Sequence, residues 1–382
     1  MPFNYRNRRG VSLSSYGLIV GLISIVALTA VTQVGSDVDS LFTNVGDTLN
    51  GVTENTANSA GSESPAPGPA ESPIFSFTSH TFTNCGAVGR FGPSQADCRS
   101  EYSTPWDEDD ANFTVTGGGQ VWTVPITGTY TIEARGGASG LDSSNSSGTA
   151  RGRGAIISGS VDLTQGQQLL IVVGQTGRNN CRSSAAGGGG SFVTLGNSFA
   201  TASPLIIAGG GGGAESVSGN ASANQHATDL ENGQSGAFTG SSCAVWAGGT
   251  SGNGATQHDS GNSGGGGGGF LTDGDSGNNC DTAGCAGTAF RNGATGGNLF
   301  DDRCSGSNND PFGGFGGGGG AWGNGGGAGG GGGYSGGAPG DNCGGATGGG
   351  GGSYTDSIVS GVTSTTGVSA NNGMGQVTIT LQ

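Results

Sequence analysis

The side chains best suited to covalent chemistry in this 382-residue chain are eight cysteines: Cys85, Cys98, Cys181, Cys243, Cys280, Cys285, Cys304 and Cys343. All follow a hydrophobic N-terminal segment and their number is even, which is how disulfides are used in an oxidising compartment; a set of free thiols is the alternative. No CxxC pair occurs, and the closest pair, Cys280 and Cys285, has no histidine near it, so zinc is not expected. The acidic run from Asp107 to Asp110 offers the hard oxygen ligands that calcium takes, with Asp107, Asp109 and Asp110 as the ligand set. A solvated acidic turn is the competing reading.

Nucleophile motifs occur only as fragments. Gly261-Asn262-Ser263-Gly264-Gly265 fits GxSxG with His258 and Asp259 before it, and Gly274-Asp275-Ser276-Gly277 echoes a serine-protease loop. With 88 glycines in the chain such matches arise by chance, and no strand-turn-helix pattern surrounds them. The three histidines, His80, His226 and His258, have no metal-ligand spacing. Neither an enzyme nor a cofactor is expected. The chain has twelve arginines and no lysine, and Arg6, Arg8 and Arg9 precede the hydrophobic segment. The remaining nine arginines face 27 carboxylates, so the rest of the chain repels nucleic acid, which is excluded as a partner.

The elements that must present these residues begin with an apolar stretch. Val11 to Ser36 carries no charge, and Tyr16 to Val34 is a 19-residue, mainly apolar run, about long enough as a helix to span a bilayer core. Arginines before it and acids after it predict a cytoplasmic N-terminus and an exported remainder. A cleaved secretory signal is the alternative. Val38, Leu41, Phe42, Val45, Leu49 and Val52 recur at helical spacing beyond the run, which predicts that the helix continues as an amphipathic stalk.

The stretch RRGVSLSSYGLIVGLISIVALTAVTQVGSDVDSLFTNVGDTLNGV resembles a Flp-type (Tad) type IVb pilin over nearly its whole length. The resemblance implies cleavage by a prepilin peptidase after Gly10, Val11 as the mature N-terminus, and assembly through the residues around Ser15 and Tyr16. It also implies other pilin subunits as partners and the bacterial inner membrane as the precursor's location. The family has a glutamate where this chain has Ser15, before Tyr16. A serine cannot supply that charge, which suits a tip or minor position better than a repeating shaft.

Residues 53–73, rich in Pro, Ser, Ala, Gly and Glu, read as an exposed linker after the leader (1–10) and the helix (11–52). The ectodomain, 74–382, then shows short apolar or alternating runs: Phe113 to Thr116, Val121 to Val124, Tyr130 to Ala134, Ala155 to Leu163, Leu169 to Val173, Phe192 to Leu195, Leu205 to Ala208 and Gln376 to Leu381. They predict an antiparallel β-sandwich over about 74–208 and 354–382. The intervening 209–353 carries runs of five or six glycines without a Gly-X-Y period, which excludes collagen. Flexible linker is one reading of these runs. The other is an inserted bundle of polyglycine II helices whose N–H and C=O groups pair between rods, braced by disulfides. Trp246, Phe312, Phe315 and Trp322, set among the glycines, are candidate binding anchors.

From about Phe75 to Gln382 the chain is similar to the extracellular glycine-rich region of the anaplastic lymphoma kinase and leukocyte tyrosine kinase receptors. The similarity lies in FTNCGAVGRFGPSQADCRSEY, VWTVPITGTYTIEARGGASG, LLIVVGQTG, PLIIAGGGGGA and FGGFGGGGGAW, in that order. It implies a TNF-like β-sandwich with an inserted polyglycine bundle, and a disulfide between Cys85 and Cys98. Those receptors bind a small protein cytokine there, a ligand that does not transfer with a fold. The expected function is that of a pilus-associated adhesin at the cell surface, binding a surface or receptor ligand. The alternatives are a major pilin coating a filament and a membrane-tethered protein that does not polymerise.

Overall fold

The structure, a computed structural model, describes residues 72–141, 150–179, 184–217, 221–238, 243–256, 262–276, 285–298, 310–322 and 326–382. The chain divides between Ala70 and Glu71 into two units, and every described residue lies in the second. Alternating and continuous apolar runs there become strands. Five of them, β1 (Ser79–Phe82), β4 (Gly128–Arg135), β5 (Ile156–Leu163), β10 (Ser360–Thr365) and β11 (Gln376–Leu381), form an antiparallel sheet in the order β1-β11-β4-β5-β10. Six others form a second antiparallel sheet in chain order: β2 (Phe113–Thr116), β3 (Gly119–Thr123), β6 (Gln168–Val172), β7 (Ser191–Leu195), β8 (Ser203–Ala208) and β9 (Tyr354–Thr355).

The two sheets differ because their faces do. The first has one buried face: Ile132 pairs with Ile379 and Ala134 with Val377, all buried. Its other face is a polar ladder in which Thr81 meets Thr378 at 3.0 Å and Ser79 meets Thr380 at 2.7 Å. In the second sheet both faces are covered, so its strands are apolar at consecutive positions. Leu169, Ile171 and Val173 enter the core between the sheets, with Phe82, Trp122, Tyr130 and Ile132. Leu170 and Val172 point the other way, into a second core with Phe192, Ile207, Phe270, Phe290 and Phe315. The glycine-rich segments thus lie over the far face of the second sheet, contributing Phe270, Phe290 and Phe315 to it.

Those segments are rods bonded to one another through their backbones. Along Gly329 to Gly333 the successive N–H groups donate to Ala185, Gly265, Gly349, Gly188 and Gly268 carbonyls at 2.9–3.3 Å. Residues three apart therefore address the same neighbour: Gly329 and Gly332 one rod, Gly330 and Gly333 another. Gly264 to Gly269 repeat the pattern, with Gly264 and Gly267 donating to Gly340 and Gly337, and Gly265 and Gly268 donating to Gly320 and Gly317. A threefold helix has this period, and a packed rod without internal hydrogen bonds must find partners this way. Rods come this close only without side chains: a Cβ on Gly331 would stand 2.1 Å from the Gly210 oxygen. The bundle also draws in Gly137 and Gly187 to Gly190 from the strand connections, as in Gly211 N–H to Gly137 O at 3.0 Å.

One sequence expectation is corrected. The fold is mainly antiparallel β-sheet; among the described residues the only α-helix is α1 (Gln95–Glu101), and no helix is long and apolar enough to cross a membrane. An N-terminal hydrophobic helix is therefore not shown, and residues 11–52, on which it was expected, lie outside the described residues. The physical reason is that hydropathy alone does not assign a helix: Tyr16 to Val34 is rich in Val, Ile and Thr, whose branched side chains favour strands.

Candidate functional site

The grooves of interest form at one end of the second sheet. Gly117 and Gly118, at φ of +58° and +83°, make the two-residue turn that joins β2 to β3, a conformation open to glycine and costly for other residues. α1 lies beside it, held by a capping box in which Ser94 and Asp97 bond each other's backbones, and by the Cys85–Cys98 disulfide. Glycine is needed again where Gly92 crosses the turn, since a Cβ there would stand 2.5 Å from Gly118 Cα and 2.6 Å from the Phe315 ring.

Two grooves flank this turn and both touch Gly293. One, of about 500 Å³, lies between Thr116, Leu170, Phe199 and Arg291; the other, of about 550 Å³, lies between Phe91, Pro93, Gln95, Val115 and Phe315. Phe91 stands on the rim, 64% exposed, with the Arg90 guanidinium 5.1 Å from its ring centre. Arg291 sits 4.9 Å over the Phe270 ring and donates Nη1 to the Ala200 and Phe199 carbonyls at 2.6 and 3.3 Å. Arg90 donates Nε to the Gly296 carbonyl at 3.1 Å, and burial lowers its pKa. Both guanidiniums are fixed by carbonyls, and neither takes part in an ion pair among the described residues. Arginines stacked on rings beside an apolar cleft, held on pinned loops, suit recognition of a protein or glycan surface.

The expected anchors separate into two kinds. Phe315 is 1% exposed and belongs to the second core, where it also forms the floor of the larger groove; Trp322 is 7% exposed and packs on Cys285. Trp246 and Phe312 are half-buried, outside both grooves. Phe91, Phe199, Arg90 and Arg291 were not singled out in the sequence. The available signal was an aromatic or arginine beside turn residues, as in Gly89 to Pro93 and Phe290 to Gly293, and the glycine background masks it.

Among the cysteines, Cys85 pairs with Cys98 and Cys243 with Cys343, and Cys285 is disulfide-bonded; no described cysteine is free. Cys181, Cys280 and Cys304, like Gly10, Val11, Ser15 and Tyr16, lie outside the described residues. The acidic run does not converge. Asp107 accepts from the Thr104 backbone at 3.0 Å and from its hydroxyl, Asp109 accepts from Ala111 N–H and Asn112 Nδ2, and Asp110 pairs with Arg99 at 2.7 Å. Cys243, Asp341 and Cys343 have metal-ligand spacing among the described residues, but their sulfurs are spent on each other. His80 is stacked edge-on against Phe82, Tyr102 and Trp106, and burial pulls its pKa down to about 4 despite the opposing field of Asp107.

The chain matches no protein-family profile. It is 36% identical over 105 residues to the leukocyte tyrosine kinase receptor of Mus musculus, a match covering 26% of this chain and 11% of that receptor. The likeness supports a glycine-rich domain of the kind found in that receptor, within a chain that spans a small part of the receptor's length.

Proposed function

We propose that this chain is a cell-surface binding protein, a pilus-associated adhesin whose glycine-rich body engages a surface or receptor ligand through the grooves beside the β2–β3 turn. The observation that carries the reading is the convergence there of Phe91, Phe199, Arg90 and Arg291 from three segments, with both guanidiniums pinned by backbone carbonyls. A rigid frame lowers the ordering cost of binding, and backbone-bonded rods closed by disulfides form such a frame. The pilin-like leader supplies the route: cleavage after Gly10, passage through the inner membrane and display outside the cell, with Ser15 placing the subunit at a tip or minor position.

The test compares cells carrying the full chain, cells lacking it, and cells carrying Phe91→Ala with Arg291→Ala, in attachment to epithelial monolayers. Attachment that needs the chain and falls at least about tenfold in the double variant, at equal surface amount, supports the reading. Equal attachment without the chain sinks the binding function, and full attachment by the variant removes it from these grooves. Sequencing the mature N-terminus checks the route: a start at Val11 supports it, and an intact Met1 overturns it.

A further inference from the structure

A second cluster of arginines lies away from the grooves and shares no residue with them. Arg151 donates Nε to the Ser139 carbonyl and Nη1 to the Asn372 carbonyl at 3.2 Å; Arg153 donates Nη1 to the Ala370 carbonyl at 3.5 Å. Both guanidiniums thus stand against one turn, 370–372. That turn is itself fixed: Asn371 and Gly154 exchange backbone hydrogen bonds at 2.9 and 3.0 Å, and Asn371 Nδ2 donates to the Gly136 and Met374 carbonyls at 2.7 and 2.8 Å.

What the turn leaves over is a set of donors. Arg151 Nη2 and Arg153 Nε and Nη2 have no acceptor among the described residues, and the ion pairs described involve only Arg99 and Arg135. His226 lies beside the Arg153 backbone. Its Nδ1 accepts the Arg153 N–H at 3.2 Å, which puts its proton on Nε2, and burial together with Arg153 lowers its pKa. Two adjacent guanidiniums repel one another, and in a body with a threefold excess of carboxylates they stand without one.

We propose that Arg151, Arg153 and His226 form a binding site for the carboxylate of an acidic sugar or other singly charged small acid. The Arg153 Nε–Nη2 edge matches a carboxylate with two parallel hydrogen bonds, and Arg151 Nη2 adds a third charged donor. The acidic body selects for low ligand charge. Its repulsion grows with the charge of what approaches, while the two guanidiniums act over roughly the 8 Å screening length of physiological salt, so a single carboxylate gains and a polyanion loses.

The full chain is titrated with glucuronate, acetate and inorganic sulfate while the arginine Nε–H resonances are followed by NMR. Saturable shifts of Arg151 and Arg153 with glucuronate, weakened about tenfold in Arg153→Gln at unchanged melting temperature, are the expected result. Acetate binding as tightly as glucuronate assigns the site to carboxylates at large, and tighter glucuronate assigns it to sugars. Arg151→Gln also loosens the 370–372 turn, so Arg153→Gln, which loses a single long contact, is the deciding variant. No saturation with either carboxylate, affinity unaltered in Arg153→Gln, or sulfate binding the tightest overturns the proposal.

Discussion

The sandwich core and the glycine bundle share one body and are held by opposite means. Between the sheets, stability comes from side chains: Trp122 is fully buried and its ring meets Phe75, Phe77, Phe82 and Tyr130 at 4.9–6.4 Å. In the bundle the side chains are gone and peptide groups take over, with most N–H groups of the glycine runs reaching a carbonyl on another rod. Apolar burial is forgiving of direction, whereas hydrogen bonds are not. The sandwich should therefore tolerate conservative swaps that the bundle cannot. The bundle also orders the residue with the most freedom to lose, so it leans harder on cross-links.

That contrast can be broken most directly in the bundle. Gly331→Ala puts a methyl 2.1 Å from the Gly210 oxygen and should cost about 5 kcal/mol or prevent folding. Gly373→Ala, with nothing within 4 Å of the added Cβ, should stay within about 0.5 kcal/mol in the same denaturant titration. Equal tolerance at both positions would mean the rods are not packed backbone to backbone. Next comes Trp122→Ala, expected to cost about 4 kcal/mol by emptying the sandwich core, with Trp122→Phe costing much less.

The disulfides follow. Replacing Cys243 and Cys343 by alanine frees a loop of 100 residues and should cost about 4 kcal/mol; replacing Cys85 and Cys98, 13 apart, should cost about 3. A reversed order would place the greater need for cross-links outside the bundle. The smallest effect is pH-dependent and belongs to the sandwich. His80 stays neutral in the folded chain down to about pH 4, while the unfolded chain protonates it near its ordinary 6.5. Its contribution is present above 6.5 and is lost as pH falls from 6.5 to 4. His80→Phe should flatten the stability profile in that window, measured as denaturation midpoints.

Legibility in the sequence followed the same division. Runs such as Leu169 to Val173 and Gln376 to Leu381 lie where strands β6 and β11 form, because side-chain patterning is what those strands use. β10 is exposed along its whole length and offers no apolar alternation, and α1 is short, polar and held by a cap and a disulfide. Phe315 and Trp322 stand out as candidate anchors because they are set among glycines, and packing over the flanks of the bundle is the other reading the sequence allows. Phe315 belongs to the second core and lies against the Gly92 and Gly118 backbones, which are far from it along the chain. The grooves were hidden for the same reason: Phe91, Phe199 and Arg291 are far apart along the chain and flank one turn only in the folded molecule.

The rods that address three neighbours in rotation also constrain how the chain can change length. Deleting one glycine from Gly329 to Gly333 would turn every later donor by about 120° toward a different rod, whereas deleting three from a longer run would restore the phase and shorten it by about 9 Å. The scaffold therefore grows or shrinks in whole turns, and the length of its rods is quantised in triplets.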